Sequence, residues 1–161
     1  MEIERKYLVS RLPEGLDAFA HTEIEQGYLC TSPTLRIRKA GDACILTVKE
    51  HCQPLPGGST AIVNREEEFA LPAATYARLR TKCEGVMVCK TRYYIPVGVY
   101  TAELDIFHGV HEGLRLVEVE FPSVEAADAF IAPAWFGPDV STDPHYRNSW
   151  LSANSNTRTT I

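Results

Sequence analysis

The strand-forming stretches of this chain alternate in an unusual way. Runs rich in Val, Ile, Thr, Tyr and Phe recur at 2–10, 22–30, 34–40, 43–50, 61–71, 86–96, 99–107 and 114–121. Gly, Pro, Asp or Ser separate most of them. Residues two apart in a strand share a face. Glu2, Glu4 and Lys6 therefore line one side of the first run, Arg36 and Arg38 one side of the third, and Thr47 and Lys49 one side of the fourth. Glu66 with Glu68, Lys90 with Arg92, Glu103 with Asp105 and Glu118 with Glu120 repeat the pattern. The opposite parity is apolar: Leu35 and Ile37, Leu46 and Val48, Leu104 and Ile106, and Val117, Val119 and Phe121.

An antiparallel sheet with one solvated face would alternate in the same way. Three features set this chain apart from that arrangement. The charges come at i, i+2, where Ser, Thr and Gln would usually be mixed in. Each strand is nearly of one sign, which costs repulsion unless a neighbouring strand compensates. The inventory is close to balance, with eight carboxylates against six cations. Fourteen buried ions in a dry core are excluded, because each costs several kcal/mol even after relaxation. The pattern predicts a sheet closed on itself, with water, metal and a polyanion inside and the apolar face outside. Eight strands give about the bore needed for one small ligand. Short sequential connections, such as Gly41-Asp42 and Pro96-Val97-Gly98, predict antiparallel pairing.

The fold class expected is therefore α+β and mainly β, an eight-stranded antiparallel closed barrel with helices packed on the outside. Helices are predicted from Pro72 to about Glu84 and from Ser123 to Ile131, with a short one around 13–20. Pro54 to Ser59 reads as a mobile surface loop. With 161 residues and no linker or repeat, the chain forms one domain over 1–153, with a flexible tail over 154–161. No run approaches a membrane span, and the charged start Met1-Glu2-Ile3-Glu4-Arg5-Lys6 carries no secretory signal. A net charge of −5 argues against coating DNA or RNA. Five cysteines without a Cys-x-x-Cys pair predict neither a disulfide framework nor a zinc knuckle, and fit a cytoplasmic protein.

Arg and Lys bind phosphate oxygens through charge-assisted hydrogen bonds, and Glu-x-Glu pairs offer hard oxygen ligands to Mg²⁺ or Mn²⁺. The lining carries a net −2 on its own, which repels a phosphate chain. Two divalent cations reverse that sign, so metal-assisted phosphoryl transfer follows. His108 and His111 flank a turn without a third ligand nearby, and both are expected in a solvated loop. Trp135 and Trp150 are expected as lids on the hydrophobic outside.

Glu2-x-Glu4-x-Lys6 followed by Tyr7-Leu8-Val9 resembles the signature of the CYTH superfamily, the triphosphate tunnel metalloenzymes. Arg36-x-Arg38, Thr47-x-Lys49, Glu66 to Glu68 after Arg65, Lys90-x-Arg92, Glu103-x-Asp105, Glu118-x-Glu120 and Tyr146-Arg147-Asn148-Ser149 follow in the family's order. The resemblance covers residues 2 to about 151 and implies a tunnel that binds triphosphates with Mg²⁺ or Mn²⁺. By position it implies metal ligands at Glu2, Glu4, Glu118 and Glu120. It implies phosphate-binding cations at Lys6, Arg36, Arg38, Lys49, Lys90 and Arg92, and an acidic lining at Glu66, Glu68, Glu103 and Asp105. Short bacterial members resemble Glu25-Gln26-Gly27-Tyr28-Leu29 and use its tyrosine as a proton acceptor. Tyr28 and Lys6 are therefore the catalytic candidates.

The expected activity is metal-dependent hydrolysis of inorganic triphosphate to diphosphate and phosphate. The chain is compact and has no obvious extra segment to grip an adenosine, a thiazolium or an RNA chain. A class IV adenylate cyclase, a nucleoside, thiamine or messenger-RNA 5′-triphosphatase, and a non-catalytic polyphosphate-binding module are the alternatives. The expected partners are inorganic triphosphate or another triphosphate, and a second copy of the chain in a homodimer; neither DNA nor membrane is expected.

Overall fold

The structure, a computed structural model, describes residues 1–52, 55 and 57–154. Residues 155–161 of the expected tail, and Pro54 and Pro56 of the expected loop, lie outside the described residues. The described residues form nine strands: β1 (Glu2–Val9), β2 (His21–Thr31), β3 (Thr34–Ala40), β4 (Ala43–His51), β5 (Ile62–Leu71), β6 (Glu84–Val97), β7 (Tyr100–His108), β8 (Arg115–Glu120) and β9 (Phe136–Asp139). The helices are α1 (Ala73–Arg80), α2 (Val124–Ala129) and α3 (Asn148–Ala153). The segment expected as a helix around 13–20 makes a single 3₁₀ turn, Leu16–Ala18. Ser123 caps α2, its Oγ accepting from Ala126 N at 3.1 Å.

The strands pair antiparallel in the order β5-β4-β3-β2-β6-β7-β8-β1. β1 then returns to β5, with Glu2 opposite Asn64 and Glu4 opposite Ile62, and this closes an eight-stranded barrel. Closure is confined to the first half of β1. Its second half turns the same edge to β9, with Tyr7 opposite Asp139 and Val9 opposite Phe136. Between the two, Val140 N donates to Lys6 O at 2.9 Å and Lys6 N donates to Ser141 Oγ at 2.8 Å. Lys6 thus sits where the barrel wall changes partner, with both backbone groups satisfied.

Two apolar clusters coat the outside, as the alternation requires. Tyr7, Ile95, Leu104, Val117, Val119 and Phe121 pack under α2 and β9. Ile37, Cys44 and Tyr76 pack with Leu46 and Leu79 beneath α1. A third cluster lies elsewhere. Leu8, Val88, Phe107 and Leu116 share the inward parity of Lys6, Lys90, Asp105 and Glu118, and they meet Leu151, Trp150 and Tyr146. The lining therefore changes from ionised to apolar along the barrel, and α3 seals the apolar end as a floor. α1 and α2 pack on the outside as expected, and α3 adds a floor; Trp150, expected as an outer lid, packs in that floor instead, whereas Trp135 does pack on the outer cluster. His111 is corrected too. It is 1% exposed, and its Nε2 lies 2.7 Å from Leu151 O, tying the turn after β7 to the floor helix. His108 lies apart, with Nε2 against Thr91 Oγ1.

Gly85 fixes where the floor meets the wall. Its φ is +65°, and a Cβ there would come within 2.1 Å of Ser152 O. Gly85→Ala combines left-handed backbone strain of about 1–2 kcal/mol with overpacking of about 1–3 kcal/mol against a backbone atom. We expect a clearly lowered melting temperature and faster amide exchange in α3 than in β7. Unchanged exchange in α3 would show that the helix is held from elsewhere.

Candidate active site

The closed order rearranges the charges. Read around the barrel, β4, β3, β2 and β6 are consecutive and present Lys49, Arg36, Arg38, Lys90 and Arg92, with neutral Gln26 and Tyr28 from β2. β7, β8, β1 and β5 are consecutive on the other side and present Glu103, Asp105, Glu118, Glu120, Glu2, Glu4, Glu66 and Glu68, with Lys6 among them. The lumen is an arc of cations facing an arc of carboxylates across a cavity of about 400 Å³.

Opposite charges touch where the arcs meet. At the β4–β5 seam Lys49 stands opposite Glu66, and its Nζ lies 2.8 Å from Glu2 and 3.5 Å from Glu66. At the β6–β7 seam Arg92 stands opposite Asp105 and donates to it from Nε at 2.8 Å and Nη2 at 2.9 Å. Lys90 Nζ donates to the same carboxylate at 2.7 Å and to Asn148 Oδ1 of α3 at 3.1 Å. Arg92 also pairs with Glu103. On the acid side Lys6 Nζ lies 3.3 Å from Glu118 and donates to Tyr146 O at 3.1 Å.

Among the described residues, three lumen cations have no carboxylate partner: Arg36, Arg38 and Arg147. Arg36 Nη2 reaches only Thr47 Oγ1 at 3.3 Å, and Arg38 Nε donates to Gln26 Oε1 at 3.1 Å. The Nε atoms of Arg36 and Arg147 are buried with no hydrogen-bond acceptor. A buried guanidinium lacking an acceptor is costly, and a multivalent anion satisfies it bidentately. Burial pulls Arg38 down to about 10, and neighbouring Arg36 and Arg92 add to the fall. Burial likewise pulls Lys90 down to about 7 against the pull of Asp105. The cation arc thus carries more positive charge than its own carboxylate partners balance.

The acid arc shows the complementary imbalance. Burial pushes Glu4 up to about 8, helped by the Glu118 and Glu2 carboxylates and opposed by Lys49 and Lys6. Burial raises Glu66 to about 7, with Glu2 and Glu68 adding. Glu120, directly opposite Glu4 on β8, is raised by burial and Glu2. Glu2 goes the other way, to about 2, because Lys49 outweighs its burial. Glu118 is held well below the usual range, Lys6 and Arg92 overcoming its burial. Carboxylates that take up protons for want of a counter-charge are a hard-oxygen donor set, and their chemistry fits Mg²⁺ or Mn²⁺. Among the described residues no three of them converge as they stand into a ready-made chelate.

The barrel brings together all the sequence-derived candidates, though in different settings. Asp105 is fully buried behind the cavity wall, between Lys90 and Arg92. Lys90 and Arg92 are tied to it, in contrast to Arg36 and Arg38. Sequence reasoning gave no role to Arg147, His51, Asn64, Gln26 and Asn148. Arg147 and Asn148 stand in the Tyr146-Arg147-Asn148-Ser149 motif, but the strand period could not aim them inward because they enter from the floor. Asn64 donates to Glu2 Oε1 at 3.4 Å and contacts His51; its inward parity with Glu66 was the available signal.

Fold and lining together define a closed antiparallel barrel whose cavity sets an arc of cations against an arc of carboxylates. No protein-family model matches the chain. It is 40% identical over 157 residues to the inorganic triphosphatase of Nitrosomonas europaea, covering 94% of this chain and 96% of that protein. It is 34% identical to the inorganic triphosphatase of Acetivibrio thermocellus, covering 95% and 94%. The crystal structure of the inorganic triphosphatase NE1496 superposes with a TM-score of 0.69 at 35% identity, covering 96% of this chain and 95% of that one. A Hippeastrum protein at 16% identity shares the fold, with a TM-score of 0.55. The chain belongs to the inorganic triphosphatase family of the CYTH superfamily, the triphosphate tunnel metalloenzymes.

Asp105 carries the seam. Burial alone would raise its pKa, but Arg92 and Lys90 hold it below the ordinary 3.8. A carboxyl group depressed in the folded state contributes stability that is fully present above its unfolded value and is lost as pH falls through 3.8 toward its folded value. Asp105→Asn leaves Lys90 without a carboxylate and Arg92 with Glu103 alone, and should cost about 3–5 kcal/mol at neutral pH. Its loss of stability on acidification below pH 4 should also be shallower than the parent's. Urea unfolding at pH 7 and pH 3 checks both; equal stability of parent and variant at pH 7 would remove Asp105 from this role.

Proposed function

We propose that this protein hydrolyses inorganic triphosphate to diphosphate and phosphate with a divalent cation. The observation that carries the reading is the sorting of the lumen into facing cation and carboxylate arcs, with the Nε atoms of Arg36 and Arg147 buried and without acceptors. The identity to inorganic triphosphatases across nearly the whole chain supports the same substrate.

In this reading Arg36, Arg38 and Arg147 bind the phosphate chain, and Lys49, Lys90 and Arg92 supply positive charge from the seams. Glu2, Glu4 and Glu120 would hold Mg²⁺ or Mn²⁺. Glu118 borders that group but is engaged by Lys6, and Glu66 and Glu68 stand beside Glu2. The bound metal would polarise the phosphoanhydride and neutralise charge as it develops. Lys6 places a cation on the acid side, where the attacked phosphoryl group gathers negative charge. Tyr28 takes the proton of the attacking water. It is 3% exposed and lies in the lumen, with Arg36 opposite it across the ladder and Gln26 Nε2 donating to its Oη at 3.2 Å. These contacts hold the Tyr28 oxygen in place against the cation arc.

Phosphate release from triphosphate, ATP, thiamine triphosphate and diphosphate, each with Mg²⁺, Mn²⁺ or EDTA, tests the proposal. Triphosphate should be the best substrate, with activity lost in EDTA; full activity in excess EDTA would contradict the metal requirement.

The unpaired and the tied cations should behave differently on truncation. Arg38→Ala removes a charge-assisted hydrogen-bond donor and strands no carboxylate, so kcat/KM should fall about 10- to 100-fold with little change in melting temperature. Arg92→Ala leaves buried Asp105 with Lys90 alone and Glu103 without its partner, and should lower stability as well as activity. A strongly destabilised Arg38→Ala with unchanged kcat/KM would reverse the assignment.

A further inference from the structure

Gln26 is a neutral side chain set among the cations of β3 and β6, opposite Arg38 across the ladder. It is 0% exposed, on β2 in the middle of the cation arc. Its Oε1 accepts from Arg38 Nε at 3.1 Å and its Nε2 donates to Tyr28 Oη at 3.2 Å. The guanidinium can only donate, so it fixes which end of the amide faces it. The Nε2 end is thereby fixed on the phenol. One lone pair of the Tyr28 oxygen is occupied, and the remaining lone pair and the O–H face away from Gln26.

The backbone holds this arrangement. The register of β2 shifts against β6 between Gln26 and Tyr28, and against β3 between Tyr28 and Cys30. Such bulges re-aim side chains at sites. Gly27, between the two residues, faces a packed outer wall where a Cβ would meet Met87 Sδ at 2.5 Å and Cys83 Sγ at 2.8 Å.

We propose that Gln26 is a positioning residue, which locks the phenol of Tyr28 and the guanidinium of Arg38 into one relay so that both address the same phosphoryl group. The proposal rests on the reading of Tyr28 as proton acceptor given above. A carboxylate at position 26 would still accept from Arg38 but could not donate to the phenol. It would instead accept the phenol's own proton and turn it away from the substrate. A leucine would serve neither.

Steady-state kinetics with triphosphate and Mg²⁺ on Gln26→Glu, Gln26→Leu, Tyr28→Phe and the double variant Gln26→Leu/Tyr28→Phe form the test, with melting temperatures as the check on folding. Gln26→Glu should keep KM near the parent's and lower kcat about 10- to 100-fold, as loss of an outer-shell partner typically does. Gln26→Leu should lower kcat similarly and also raise KM through Arg38. In the Tyr28→Phe background Gln26→Leu should cost little further kcat, because residues acting as a unit are non-additive. Parent-like kcat in Gln26→Glu, or the same kcat loss with and without the phenol, would overturn the relay. Parent-like kcat in Tyr28→Phe would instead overturn the proton-acceptor reading, and the two failures are thereby told apart.

Discussion

Charges of one sign cannot line half a barrel unless the other half answers them. Everything else in this protein follows from that constraint. The two arcs hold each other through ion pairs concentrated at their seams, Lys49 with Glu2 and Glu66 on one side and Arg92 and Lys90 with Asp105 on the other. Between the seams the arcs stay under-compensated: Arg38 is pulled down and Glu4 is pushed up for the same underlying reason, burial without sufficient counter-charge. In the proposed function a phosphate chain would relieve the first and a divalent ion the second, so that ligand and metal would be two halves of one electrostatic correction.

The barrel geometry gives that correction a place. The interior is too ionised to close on itself, so it stays open as a cavity where the lining is charged. It collapses where Leu8, Val88, Phe107 and Leu116 replace the charged residues. There α3 packs as a floor, anchored by His111 and admitted by Gly85. The floor is also chemical, since Arg147 and Asn148 reach the site from it and Tyr146 O receives Lys6. On the outside, α1, α2 and β9 cover the apolar face.

Much of this was legible in the sequence, because strand parity is a strict code. Glu2-x-Glu4-x-Lys6, Arg36-x-Arg38 and their counterparts could share a face only by pointing the same way, and the balance of signs required a common interior. The register of Glu66 and Glu68 against Glu67 followed from the same parity. What parity cannot give is spatial order. That β6 sits beside β2, and β1 between β8 and β5, decides that the charges form two arcs instead of an alternating ring. Nor does it distinguish Lys90, tied to Asp105, from Arg38, which has no carboxylate, since that depends on which residue stands opposite across the ladder. β9 went unread because four residues are too short for a period to register, and α3 because, unlike the equally short α2 with its Ser123 cap, it has no capping side chain to mark its start.

If the arcs are complementary halves, their ligands must bind co-operatively, since each ligand relieves the charge that opposes the other. The direct test is calorimetric titration of triphosphate into the Tyr28→Phe protein, in which turnover is suppressed in this account, in the presence of EDTA and across a range of Mg²⁺ concentrations. The account predicts weak binding in EDTA and affinity that rises with Mg²⁺ beyond what metal–triphosphate complexation in solution explains. Triphosphate affinity in EDTA equal to that at saturating Mg²⁺ would contradict it.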